Sequence, residues 1–245
     1  MSLGPVEHPK SVVAVYSGGI DSTVMLYSMR ELGIDIRGAL SVDYGQKHRK
    51  EIEVAAGVCR SLGIEHQVVN LSGTSGLFCH SGLVDSNLAV PEGHYEEESM
   101  KSTVVPNRNM ILISLATAWA VTKEAEAVAY AAHSGDHAIY PDCRESFASA
   151  LDKAIQLCDW ASVRLYRPFV DSSKTEMGAE GIRLKVPLGE AWSCYKGGGL
   201  HCGRCGTCIE RREAFYLAGV EDPTEYGADA PELETLVNAG WRLTT

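Results

Sequence analysis

The residues Ser17-Gly18-Gly19-Ile20-Asp21-Ser22-Thr23 put two adjacent glycines beside three hydroxyls and one carboxylate. Glycines let a backbone approach a ligand closely, and the unpaired N–H groups of a helix start attract an anion. Such a turn can wrap a phosphate or pyrophosphate; the plainer alternative is a tight strand-to-helix turn capped by Asp21 or Ser22. It lacks the Gly-Lys-Ser/Thr ending of a Walker loop. A second constellation is Cys194-x7-Cys202-x2-Cys205-x2-Cys208, threaded with glycines at 197, 198, 199, 203 and 206. Four thiolates at this spacing can close on one tetrahedral Zn²⁺ with no open position, which makes a structural site the expectation. His201 could replace one cysteine, and buried free thiols or an iron–sulfur cluster are the other readings. The remaining cysteines (59, 79, 143 and 158) are scattered, so a metal cluster in a reducing compartment is favoured over disulfides.

Other positions carry chemistry by type. Arg108, at a helix start, offers a guanidinium that matches phosphate bidentately, or is a surface residue between capping asparagines. Asp43 follows a strand, where open α/β sheets bind ligands. Gln46 to Lys50 reads equally as a phosphate-facing basic loop or a solvated turn. Between His133 and Arg144 (HSGDHAIYPDCR) lie an aromatic ring at Tyr140, carboxylates at Asp136 and Asp142, and Arg144. A flat base needs such a neighbour and an acceptor for its N–H groups, and a polar loop fixed by Pro141 is the alternative.

These residues need a frame. Ser11–Tyr16 is a buried-strand run, Ile20–Leu32 a helix stopped by Gly33, 36–43 a strand, 51–62 a helix stopped by Gly63, and 65–71 a strand. This βαβαβ order predicts a parallel sheet. Residues 72–105 have no clear periodicity and read as a lid or insertion. Alternation resumes with a helix near 107–123, a strand 125–132, a helix near 144–161 and a strand 164–170, followed by short helices. The fold expected is α/β, a Rossmann-like parallel sheet with helices on both faces, plus a small zinc-binding C-terminal segment. We divide the chain into 1–190 and 191–245.

The 245 residues carry 22 basic and 32 acidic side chains, a net charge of −10 that is a poor footprint for gripping nucleic acid. The longest apolar run, 110–121, is too short for a span of about 20 residues. Met1–Lys10 lacks the pattern of a secretory signal. A cytoplasmic, non-membrane protein is expected.

The glycine turn resembles the SGGxDS loop of the ATP pyrophosphatase (PP-loop) superfamily, of the adenine nucleotide alpha hydrolase-like fold. Together with SVDYGQKHRK (41–50), VPNRN (105–109), YPDCRESF (140–147) and WSCYKGGGLHCGRCGTC (192–208), it makes residues 12–223 similar to the 7-cyano-7-deazaguanine synthase family. That resemblance implies an ATP-dependent ligase of queuosine biosynthesis. It takes a 7-carboxy-7-deazaguanine and ammonia through adenylates to the nitrile, with ATP, Mg²⁺ and a structural Zn²⁺, in a homodimer. It implies nucleotide contacts from Tyr16, Ser17, Gly18, Gly19, Ile20, Asp21, Ser22, Thr23, Asp43 and Arg108. Ser17, Asp21, Arg108 and Lys174 carry catalysis, Lys174 resembling a phosphate-contacting lysine. Asp136, Tyr140, Asp142 and Arg144 meet the base, and Cys194, Cys202, Cys205 and Cys208 hold the metal. The stretch Ala131 to His137 departs from the family pattern, leaving His133 and His137 without an assigned role. An enzyme stopping at the 7-amide stays open, as does a zinc-containing RNA-binding or tRNA sulfur-transfer protein using Lys196, Arg204, Arg211 and Arg212.

Overall fold

The computed structural model describes residues 8–243; the reading of Met1–Lys10 therefore lies mostly outside the described residues. Five parallel strands form one sheet: β1 (Ser11–Val15), β2 (Asp35–Asp43), β3 (His66–Asn70), β4 (Ala127–Ala129) and β5 (Arg164–Tyr166), in the order β3-β2-β1-β4-β5. The helices are α1 (Ile20–Glu31), α2 (Lys50–Leu62), α3 (Arg108–Thr122), α4 (Glu145–Ile155), α5 (Lys174–Arg183), α6 (Gly206–Leu217) and α7 (Leu233–Asn238). Alternate side chains of β1 feed two cores. Val13 faces Leu40, Val128 and Leu165 with Ile113 and Ala116 of α3 and Leu151 of α4. Val12 and Ala14 face Ala39, Ala127 and Ala129 with Val24 and Met25 of α1, Ala55 of α2 and Met177 of α5. Burial on both faces explains why the strands read as continuous apolar runs.

The first two helices end alike. Gly33 and Gly63 take the left-handed conformation, and the next residue donates back to an earlier turn, Ile34 to Met29 and Ile64 to Cys59, both at 2.9 Å. The chain walks from β1 out to β3, then restarts on the other side of β1 with β4. The crevice between β1 and β4, above the strand C-termini, is the switch point where open sheets bind ligands.

Three elements are shorter than the sequence predicts. Helix α4 stops at Ile155, not near 161: Leu157 and Cys158 bond three residues back, and Asp159 accepts from the Ala161 amide. Leu157 and Trp160 are exposed, so nothing there can bury an apolar helix face. Strand β4 ends at Ala129 because Tyr130 to Ala132 turn into the crevice, and β5 ends at Tyr166, two residues before Pro168. Residues 72–105 hold only 3₁₀ turns at 72–78 and 98–103 and are tied to the cysteine segment, where Gly93 donates to Arg204 and Glu92 pairs with Arg204 at 2.7 Å and with Lys196. No described helix is long and apolar enough to cross a membrane.

Candidate active site and cysteine knot

A cavity of about 210 Å³ opens at the switch point. Its floor is the glycine turn. Gly18 has φ +85°, and a Cβ there would fall 2.3 Å from the Glu51 carbonyl oxygen, so only glycine lets α2 pack this closely. The hydroxyls fold onto the loop itself. Ser17 Oγ lies 3.1 Å from Ser22 Oγ and accepts from the Gly19 amide, while Thr23 donates to the Gly19 carbonyl at 2.7 Å and meets the Tyr16 hydroxyl. Neither Asp21 nor Ser22 caps α1, which has no side-chain cap, so its first N–H groups stay free for an anion.

Lys174 begins α5, whose capping box between Ser173 and Glu176 fixes the helix start. Its ammonium lies 2.8 Å from Asp21 Oδ2, 3.3 Å from Glu210 Oε2 and 3.4 Å from His133 Nε2. Burial disfavours the ionised Asp21, yet Lys174 and His133 outweigh it and hold its carboxyl well below the usual range. Burial likewise opposes the charge on Lys174, and Asp21, Glu210 and Asp136 reverse this and raise it. His133 is pulled down by burial and up by Asp136 and Asp21, the net being a rise to about 9. Burial raises Glu210.

The opposite wall carries Arg108. It is not a surface residue between capping asparagines: Asn107 adopts a left-handed φ of 58° without capping, and the guanidinium faces the cavity beside Tyr44, Tyr140 and Tyr195. Burial works against its charge, and those tyrosines with Asp142 favour it. Tyr140 presents its ring to the cavity, its hydroxyl anchored by Thr103 at 2.6 Å, and Asp136 lines the same wall.

Several residues singled out from sequence sit elsewhere. Asp43 is buried under its own turn, accepting from the Gly45 amide and pairing with Arg49, and does not line the cavity. Asp142 accepts from the Asn109 amide, and Arg144 is exposed, donating to the His137 carbonyl. The basic run is not merely solvated: His48 lines the cavity, Lys47 donates to the Leu88 carbonyl, and Lys50 donates to the Gly199 carbonyl and sits 4.1 Å over the Trp192 ring. Gly18 and Thr23 support the turn from behind, whereas Tyr16, Ser17, Gly19, Ile20, Asp21 and Ser22 face the cavity.

Among the cavity residues given no role from the sequence are Glu51, Tyr195, Thr207 and Glu210. Burial lifts Glu51 to about 7. Glu210 comes two residues after the last clustered cysteine, a position that becomes meaningful only once α6 is seen to start at that cluster.

The sulfurs of Cys194, Cys202, Cys205 and Cys208 lie within 4.8 Å of one another, with Cys202 and Cys208 at 3.9 Å. Tetrahedral Zn–S bonds of about 2.3 Å require sulfurs roughly this far apart. Backbone amides of residues 202, 204 and 205 donate to sulfur at 3.3–3.4 Å, as thiolate ligands require. The donor set therefore fits a metal ion. His201 stays outside it, accepting from the Ser193 amide and packing on Trp192. The knot is joined to the glycine turn, because Trp192 donates its amide to Gly18 and its indole N–H to Cys194.

Comparison with known proteins adds to this geometry. Residues 11–219 match the model of the family described as "Queuosine biosynthesis protein QueC". A protein of Marinobacter nauticus named 7-cyano-7-deazaguanine synthase is 50% identical over 216 residues, 88% of this chain and 97% of its own length. One of the same name from Sinorhizobium fredii is 47% identical over 231 residues, 94% of this chain and 96% of its own. With the match running through the glycine turn, the cavity walls and the cysteine knot alike, the chain belongs to the QueC family of queuosine biosynthesis proteins.

Proposed function

We propose that this chain is a 7-cyano-7-deazaguanine synthase, an ATP-dependent ligase that turns 7-carboxy-7-deazaguanine and ammonia into the nitrile. One observation carries the reading: a free helix start, Arg108 and Lys174 converge at the switch point with an aromatic and carboxylate wall, Tyr140 and Asp136. A carboxylate resists ammonia because its leaving group would be oxide. Attack of its oxygen on the α-phosphorus of ATP breaks the bond to pyrophosphate and gives an adenylate, from which nitrogen displaces AMP. Activation of the resulting amide oxygen in the same way, with loss of a second AMP, leaves the nitrile.

In this reading the N–H groups after Gly19 receive the departing pyrophosphate, while Arg108 and Lys174 offset the charge that develops on phosphorus oxygens. Ser17 orders the turn, and Asp21 holds Lys174 in place. Tyr140 offers a flat face to the base, and Asp136 an acceptor for its N–H groups. Mg²⁺ accompanies the triphosphate, bound chiefly by phosphate oxygens and water. Cys194, Cys202, Cys205 and Cys208 would hold Zn²⁺ as a closed structural site. Residues 191–245 act as a segment packed on the nucleotide-binding part, a reading supported by the Trp192–Gly18 hydrogen bond.

The test is incubation with ATP, ammonium and the carboxylated base, with identification of both products. AMP with pyrophosphate and the nitrile mass supports the proposal. ADP with phosphate refutes the adenylate route, and accumulation of the amide mass alone refutes the second activation.

A further inference from the structure

Behind the wall formed by Asp136, Tyr140, Tyr195, Thr207 and Glu210 lies a second recess of about 20 Å³, which shares those five residues with the main cavity and is closed by Tyr95, Met100, Gly135, Ile139 and Gly206. It has room for one water-sized molecule. The missing side chain of Gly135 helps to leave that room: a Cβ there would lie 3.1 Å from Nδ1 of His133 and 3.2 Å from Oε1 of Glu210. His133 is 1% exposed and its Nδ1 has no hydrogen-bond partner, although burying an unpaired polar atom is costly. Its Nε2 is engaged by the charges around it, 3.5 Å from Asp136, 3.7 Å from Asp21 and 3.4 Å from Lys174. Lys174 meets Glu210 through Oε2, which leaves Oε1 on the Gly135 side.

We propose that this recess is the ammonia-binding subsite of the cleft, with Asp136, Glu210 and Nδ1 of His133 as its three anchors. The inference rests on the synthase reading above. The two carboxylates accept N–H bonds from the nitrogen, and Nδ1–H of His133 satisfies its missing contact by donating to the nitrogen lone pair. His133, opposed by burial but raised to about 9 by Asp136 and Asp21 against Lys174, is protonated at pH 7, so the nitrogen is held as ammonia and the Nδ1–H bond to its lone pair opens as attack begins. The freed lone pair then forms the C–N bond to the activated carboxyl carbon. The C–O bond to the nucleotide phosphate breaks, AMP leaves with that electron pair, and the one proton lost from nitrogen passes to Asp136.

The test compares Gly135→Ala with the unaltered protein in two assays, steady-state turnover against ammonium and ATP–pyrophosphate exchange with the carboxylated base, which needs no nitrogen source. Filling the recess should raise KM for ammonium at least tenfold while KM for ATP in exchange moves less than twofold. An unmoved ammonium KM, or equal rises in both, would overturn the subsite. His133→Asn gives a second reading should the alanine variant fold poorly. The unaltered protein should show kcat/KM for total ammonia rising roughly tenfold per pH unit from pH 7 to about 8.5, because free ammonia is bound; a flat profile would show that the ion is bound and overturn this subsite. His133→Asn should lower kcat/KM for total ammonia at least tenfold across that range while KM for ATP in exchange moves less than twofold; an unmoved kcat/KM for ammonia would overturn the role of Nδ1. Absence of exchange in the unaltered protein would sink the synthase reading and this inference together, whereas exchange with an unmoved ammonium KM sinks this inference alone.

Discussion

Replacing Lys174 by Met removes the cation at the centre of the charged cluster while keeping most of the side chain's volume. At 2.8 Å the Lys174–Asp21 attraction is about 6 kcal/mol for an effective dielectric near 20, before the desolvation of both groups is subtracted. Removing one partner of a buried pair costs about 3–5 kcal/mol. Lys174 and Asp21 keep 14% and 26% of their side-chain surface exposed, so solvent takes the loss to the lower end, about 3 kcal/mol. For a chain of this size that corresponds to a fall in Tm of about 6–12 °C. The sign of the pH dependence follows from Asp21. Its folded carboxyl titrates below its ordinary value, so its stabilisation is present above the ordinary value and is lost as pH falls through the depressed one. The gap between the two proteins, read from urea midpoints, should be full at pH 7 and should shrink as pH falls from about 5 towards 2. Pyrophosphate exchange at pH 7 should drop by roughly 10² or more. A gap that is absent at pH 7, or as large at pH 3 as at pH 7, would refute the assignment of Lys174 as the neutralising partner of Asp21.

Gly18→Ala must place a Cβ 2.3 Å from the Glu51 carbonyl at a φ of +85°, and should lower the unfolding free energy read from urea curves by about 2 kcal/mol or more; an unchanged free energy would show that α2 can yield. Glu51, lifted to about 7 by burial, binds more protons folded than unfolded between its ordinary value and 7, so stability falls as pH rises through that window. Glu51→Gln should therefore be more stable than the unaltered protein at pH 8 by up to about 3 kcal/mol and nearly equal at about pH 4, a difference that paired denaturation curves would measure. Cys205→Ser should lose a metal ion that elemental analysis finds at one per unaltered chain, and should raise KM for ATP through the Trp192–Gly18 bond; full metal retention would argue against this ligand set.

The sheet was legible because apolar runs, glycine stops and short turns all pointed the same way. Gly33 and Gly63 take the left-handed conformation at the helix ends where their placement in the sequence required it. The overlong α4 came from helix-forming residues at 156–161 that have nothing to pack against, which periodicity alone does not reveal. The glycine turn and the four cysteines announce themselves by spacing, since backbone approach and metal geometry both demand particular intervals. Glu210, Glu51 and Tyr195 do not, because a single acid or tyrosine acquires its role only from what the fold places around it. Asp43 shows the reverse: a position at a strand's C-terminal end suggested a ligand contact, yet its side chain turned back to satisfy the amide of Gly45.

The cavity draws its walls from residues as far apart in the chain as Val15 and Glu210. At about 5–20 residues per second of synthesis, the two ends of that set leave a ribosome roughly 10–40 s apart. During that interval the nascent polypeptide carries the glycine turn without the full set of side chains that faces it. The lining is complete only after the cysteine-bearing stretch, which supplies Trp192, Ser193, Tyr195 and Thr207, and Glu210 just beyond it, has emerged.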